Sequence, residues 1–253
     1  MGIAQRSVAI PTGSVTLLFT DIEGSTKVLQ RTGDRYADIL AAHHVVLRGA
    51  IAEHSGYEVD TAGDGFFVTF VSAKDAVRCV IAMQRAINEH PLLVEHAVRV
   101  RMGLHSGDVQ VVDNNYLGLT VHHAARIAGA GHGGQVVVSD ATRALAGEDD
   151  EWSYLGLGAH ELKNLARPIQ LFQLAHPALD TEFKPIRSLS RGQANRVWAE
   201  SDDGPGELGY ELDRRAVALL RAELDPAVAA AAWEAGEAMT IDEAVALARG
   251  ILA

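Results

Sequence analysis

The sequence predicts an α+β fold: a sheet with helices packed on one of its faces, followed by a short helical tail. Three observations predict it. Apolar runs too short for helices are separated by longer stretches of helical periodicity. An Asp64-Gly65 pair lies between two short apolar strands, a strong hairpin signal. The resulting order (strand, helices, hairpin, helix, strand, helix, strand) suits helices laid on a sheet.

The elements follow in order. Residues 14–20 form a compact apolar run followed by Asp-Ile-Glu-Gly-Ser-Thr, which reads as a buried strand ending in a turn. Residues 34–54 carry Tyr36, Ile39, Leu40, His43, Leu47 and Ile51 roughly on one helical face. Residues 57–61 and 66–71 are short strands around Gly63-Asp64-Gly65. Residues 73–88 place Ala76, Val80, Met83 and Ile87 at helical spacing. Val98, Val100, Met102 and Leu104 alternate with Arg99, Arg101 and Gly103, the period of a strand. Residues 119–128 read as a helix, 135–138 as a strand, and Ser139 as the cap of a short helix through Leu145. Strands at 154–157 and 169–174 finish the domain, which is expected over residues 14–175 after an N-terminal extension, 1–13.

Beyond it the character changes. Residues 176–208 are rich in Pro, Ser, Arg, Gly and Asp without sustained periodicity and read as a linker. Residues 209–253 form a helical tail, with helices at 214–223, 226–236 and 241–252. The last is capped by Thr240 with Glu243 three residues on.

Composition narrows the function. The chain is 48% hydrophobic and 22% charged, as globular proteins are. It has no apolar run near the roughly 18 residues of a membrane span. The N-terminus lacks a secretory pattern, and Cys79, the single cysteine, excludes an intramolecular disulfide. A cytoplasmic protein without membrane contact is the expectation. The net charge of −11, with its basic residues scattered, opposes a nucleic-acid partner.

Two carboxylates carry the candidate chemistry. Asp21 directly follows the first strand and Asp64 sits in the hairpin turn. If these strands are neighbours, both carboxylates reach one sheet end, where Mg²⁺ binds together with substrate phosphates. Gly24-Ser25-Thr26 then opens a helix whose free N–H groups favour phosphate. The alternative is structural: Asp21 caps that helix and Asp64 only forms the turn. The paired histidines, His43-His44 and His122-His123, diverge on a helix and lack the spacing of a zinc site. Gly131-His132-Gly133-Gly134 reads as a turn.

A run of motifs then identifies a family. Phe19-Thr20-Asp21-Ile22-Glu23-Gly24-Ser25-Thr26 and Ala62-Gly63-Asp64-Gly65-Phe66-Phe67 closely resemble the class III adenylyl/guanylyl cyclases. Met102-Gly103-Leu104-His105-Ser106-Gly107, Gly118-Leu119-Thr120-Val121 and Ala124-Ala125-Arg126-Ile127 continue the match in order. The resemblance implies a ferredoxin-like core and a homodimer with active sites at the subunit interface. It implies attack of a ribose 3′-hydroxyl on the α-phosphate of ATP or GTP, releasing pyrophosphate, with two Mg²⁺ or Mn²⁺ ions. Asp21 and Asp64 match the metal ligands, assisted by the Ile22 carbonyl. Arg126 matches the residue that stabilises the transferring phosphoryl group, and Lys163 the one that holds the terminal phosphates. In the family these last two reach across from the partner subunit.

Three positions depart from the pattern. Asp60 stands where adenylyl cyclases commonly place a base-reading lysine, and Asn115 where the companion aspartate is expected. His122 replaces an asparagine that positions the ribose. His122 and Arg126 remain at i and i+4, on one helical face. The resemblance therefore implies an enzyme, most simply an adenylate cyclase. The alternative is a non-catalytic cyclase-fold module that binds a nucleotide or partner in regulation. The tail, whose residues 226–248 weakly resemble the end of large bacterial ATPase/helical-repeat regulators, offers a surface for another protein.

Overall fold

The computed structural model describes residues 10–112, 115–162, 165 and 167–187. Lys163 and the helical tail lie outside the described residues. The domain is a twisted, mostly antiparallel sheet in the order β2-β3-β1-β4-β6-β8-β7, with β5 attached to β4. Its strands are β1 (Gly13–Ile22), β2 (Tyr57–Ala62), β3 (Gly65–Phe70), β4 (Val100–Val112), β5 (Asn115–Leu117), β6 (Val136–Ser139), β7 (Ser153–His160) and β8 (Ile169–Ala175). The helices are α1 (Ser25–Thr32), α2 (Tyr36–Glu53), α3 (Ala73–Glu89), α4 (Pro91–Glu95), α5 (Leu119–Ala130) and α6 (Asp140–Ala146). Among the described residues the expected strands and helices are present, with α1 a separate helix ahead of α2, and α4 and β5 are found besides them. No helix among the described residues is long and apolar enough to cross a membrane.

β1 lies inside the sheet between β3 and β4, and both β3 and most of β1 are buried. β1 pairs antiparallel with β3, Phe19 opposite Phe67, and with β4, Phe19 opposite Gly103. Its residues alternate between two cores, as the period of two requires. Leu18 and Ile22 join Phe66, Val68, Phe70, Ile39, Leu47, Val80 and Met83 under α2 and α3. Val15, Leu17 and Phe19 join Phe67, Tyr116, Val121 and Ala124 under α5.

The sheet is thus covered on both faces, which corrects the expectation of helices on one. The reason is glycine. A Cβ at Gly103 would stand 2.3 Å from the Ala128 backbone N, and one at Gly107 3.0 Å from the Thr120 side chain. These two glycines form a groove into which α5 settles. The eight residues from Thr120 to Ala128 rise roughly 12 Å, and the four from Gly103 to Gly107 roughly 13 Å, so helix and strand run antiparallel in register.

The hairpin turn also differs in detail from the expected Asp64-Gly65. The two loop residues are Gly63 and Asp64. Gly63 has φ 56° while Asp64 stays at negative φ, the pattern of a two-residue turn with glycine in its first position. Asp64 therefore sits at the tip, facing the end of β1. The start of the expected linker is docked rather than loose. Ile186 is buried with Ile127, Val137 and Leu171, and the Arg187 N–H donates to the Ala130 carbonyl at 2.8 Å.

Candidate active site

β1 delivers Asp21 onto the α5 face of the sheet, at the end that meets the Gly63-Asp64 turn. Asp64 is buried, 5% exposed, and its Oδ2 accepts the Ile22 N–H at 2.7 Å. Neither carboxylate plays the local role that the sequence left open. α1 is capped by Gly24 without a side-chain bond, so Asp21 is not its cap. Asp64 bonds to another strand, so it does more than form its own turn. Burial raises the Asp64 pKa; the Ile22 N–H, its own N–H, the Ser25 hydroxyl and the Arg101 charge compensate only in part. A divalent cation fits this donor set, since hard oxygens and an under-compensated buried charge favour one.

Arg101, unnoticed in the sequence because it reads as a solvent-facing strand residue, is 3% exposed and faces Asp21 across the β1–β4 ladder. Its Nε and Nη2 donate to Asp21 Oδ2 at 2.9 and 2.5 Å. Helix α2 supports the turn from behind. His44 Nε2 lies 2.9 Å from the Gly63 carbonyl, and Arg48 forks onto both Glu58 oxygens at 2.7–3.2 Å. Burial alone would raise the Glu58 pKa, but the Arg48 bond holds it below the usual range. Glu23, two residues past Asp21, pairs with Arg187 of the docked segment.

The other candidates divide between β2, β5 and α5. Asp60 is half-buried beside a bulge in β2, opposite Phe67, and accepts the Thr61 N–H at 2.9 Å. Asn115 is exposed at the start of β5. The next residue, Tyr116, packs its ring on Phe67 at 5.9 Å and donates its hydroxyl to the Pro11 carbonyl at 2.7 Å. Asp60 and Asn115 thus flank one apolar cluster, because the β4–β5 hairpin brings Tyr116 onto the β3 surface. His122 and Arg126 are half-buried on α5.

A row of mostly buried polar groups begins beneath α5 and passes to α6 on the other side of the sheet. His123 Nδ1 lies 3.3 Å from His105 Nε2, and His105 Nδ1 lies 2.8 Å from Ser139 Oγ. Ser139, Thr142, Ser106 and Thr16 continue it at 3.2, 2.9 and 2.8 Å. Burial, then the neighbouring imidazole His123, lowers the His105 pKa to about 4. His43, fully buried under α2 with neither ring nitrogen hydrogen-bonded, is lowered to about 3 by burial and then by His44.

A stability prediction follows from these histidines. Folded pKa values below the unfolded 6.5 mean that the unfolded chain binds more protons in acid. Their stabilising contribution is present above pH 6.5 and is lost as pH falls towards 4. Urea midpoints should therefore drop between pH 7 and pH 5. His43→Leu, which removes two unpaired buried nitrogens, should raise stability at pH 7 by about 1–3 kcal/mol and flatten that drop. An equal drop in both proteins would show that His43 is not what titrates.

Comparison with known proteins agrees with this architecture. The adenylate and guanylate cyclase catalytic domain model matches residues 8–175. An uncharacterized protein of Mycobacterium tuberculosis is 37% identical over 183 residues, covering 70% of this chain and 61% of that protein. The chain therefore spans less than two thirds of that relative's length. A receptor-type adenylate cyclase of Trypanosoma brucei brucei is 30% identical over 208 residues, covering 65% of this chain and 17% of the longer one. A solved structure of a Trypanosoma brucei adenylate cyclase in its monomeric state superposes with a TM-score of 0.65 at 28% identity, covering 73% of this chain and 98% of that one. With its family motifs at the central strands and the β2–β3 turn, this chain belongs to the adenylate and guanylate cyclase catalytic domain family.

Proposed function

We propose that the protein converts ATP to cyclic AMP and pyrophosphate at two equivalent sites of a homodimer. The observation that carries this reading is the bond from the Ile22 N–H, one residue past Asp21, to the Asp64 carboxylate, which ties the hairpin turn to the end of β1. A pair of Mg²⁺ or Mn²⁺ ions, when bound, activates the ribose 3′-hydroxyl and offsets the charge of the leaving pyrophosphate. Asp21, Asp64 and the Ile22 carbonyl would hold them. Arg126, a fixed guanidinium on α5, would meet the charge developing on the α-phosphate from the partner subunit. Lys163, also from the partner, would hold the terminal phosphates, and His122 the ribose.

Asp60 and Asn115 would face the base. Neither supplies the lysine–aspartate pair that reads adenine in the family, so discrimination between ATP and GTP should be shallow. The same departures, with an Asp21 carboxylate already neutralised by Arg101, favour the non-catalytic alternative. The deciding experiment incubates the purified protein with ATP or GTP and Mn²⁺ or Mg²⁺, and measures cyclic nucleotide. No product under any condition would turn the conclusion to the non-catalytic module. If the enzyme is active, Asp60→Lys with Asn115→Asp should raise the ATP/GTP rate ratio by roughly one to two orders of magnitude. A strong preference for ATP in the native protein would contradict this account of the two positions.

A further inference from the structure

The cation site as read so far contains two carboxylates and ignores Arg101, a cationic side chain buried beside Asp21. We infer that Arg101 is the site's built-in countercharge: a positioning residue that holds Asp21 before a divalent cation arrives and then opposes that cation, setting its affinity. The inference rests on the reading of Asp21 and Asp64 as cation ligands.

Three observations carry it. Arg101 and Asp21 are direct partners in the β1–β4 ladder, so the strands themselves fix the guanidinium against the carboxylate. Both Nε and Nη2 address a single oxygen, Oδ2, at 2.9 and 2.5 Å, and the pair is 3% and 13% exposed, so water screens it little. Asp64 accepts the N–H of Ile22, the residue after Asp21, which brings the second candidate ligand to the same strand end.

The consequence comes from the chemistry of the guanidinium. Two carboxylates brought to one sheet end repel each other and lose their hydration, and one fixed positive charge relieves both costs. The planar fork of the guanidinium fixes where its positive charge sits beside the metal. Its backbone is locked as well, because Val100 and Met102 on either side are fully buried in the opposite core. A purely structural cross-strand pair and a countercharge therefore make different predictions. The first predicts a loss of stability indifferent to metal; the second predicts a loss that metal reverses.

The test compares full-length wild-type, Arg101→Met and Arg101→Lys proteins, with Mn²⁺ alone as the probe. Binding is read from the free-ion electron paramagnetic resonance signal, and stability from thermal unfolding with and without Mn²⁺. Arg101→Met keeps most of the side-chain volume and removes the charge. It should unfold at a lower temperature without metal, bind Mn²⁺ about tenfold more tightly, and gain more from Mn²⁺ than the wild type. Arg101→Lys, which keeps the charge, should stay within about threefold of wild-type affinity. Recovery of a folded Arg101→Met protein only when Mn²⁺ is present is the same result in stronger form. Unchanged or weaker Mn²⁺ binding by Arg101→Met, failure to fold at saturating Mn²⁺, or a lysine variant that behaves like the methionine one each overturns the proposal. Absence of Mn²⁺ binding by every chain, wild type included, sinks the cation reading itself, whereas equal binding by all three sinks only the role of Arg101.

Discussion

Asp64→Asn is expected to leave the domain folded and to lower cyclase turnover about a thousandfold. The two halves of that expectation have separate causes. The asparagine carbonyl can still accept the Ile22 N–H that Asp64 Oδ2 accepts at 2.7 Å, so the tie between the turn and β1 survives. The buried charge, which burial disfavours, disappears, so urea midpoints should not fall. What goes is the anionic oxygen at the point where cation and phosphate charge would be balanced, and losses at such sites run to two or three orders of magnitude. Asp21→Asn is the contrasting change. It removes the charge that faces the buried Arg101 guanidinium, and breaking one side of a buried pair costs about 3–5 kcal/mol, so that variant should lose stability as well as activity.

The same variant tests the shared site. In a two-fold dimer with Asp64 from one chain and Arg126 from the other, mixing Asp64→Asn with Arg126→Ala chains leaves one intact site in each mixed dimer. Random exchange makes half of the dimers mixed, so about a quarter of wild-type activity should return. Two inactive, folded and dimeric parents that regain nothing on mixing would show that each site is built within one chain. Full wild-type turnover by Asp64→Asn would remove Asp64 from the chemistry altogether.

How much of this was legible in the sequence depends on how local each signal is. The Gly65–Phe70 strand is an apolar run interrupted only by Thr69, Ser139 caps α6 through the Thr142 N–H, and both were readable from neighbouring residues. The site carboxylates were readable because their motifs are contiguous. Arg101 was not. A charged residue in a period-two pattern reads as solvent-facing, and its partner Asp21 lies 80 positions away. His44 and Arg48 were missed for the same reason: their contacts with Gly63 and Glu58 belong to tertiary packing. Composition misjudged residues 176–187, because a Pro-containing segment can still dock when one residue, here Ile186, finds an apolar slot and its backbone finds the Ala130 carbonyl.

The most consequential misreading, the empty face of β4, yields the last prediction. Gly103 was read only as one of the residues alternating with Val100, Met102 and Leu104, yet its missing side chain is what lets α5 approach. An added methyl at Gly103 would stand 2.3 Å from the Ala128 N, 2.5 Å from its Cα and 2.7 Å from its Cβ. Two of these atoms are helix backbone, which cannot rotate aside as a side chain can, so α5 must lift or tilt as a body. Gly103→Ala should therefore destabilise the domain by about 3 kcal/mol, the upper part of the range for overpacking. Gly129, on α5 itself, meets nothing within 4 Å of an added Cβ. Its change to Ala should stabilise by about 0.5–1 kcal/mol, since alanine is the better helix former. One methyl group on the strand under α5 and one on the open side of α5 should thus shift the urea midpoint in opposite directions. Lifting α5 also carries His122 and Arg126 with it, so Gly103→Ala should lose activity even under conditions where it remains folded. A Gly103→Ala protein as stable as the parent would mean that α5 does not rest on β4 as closely as the 2.3 Å approach requires.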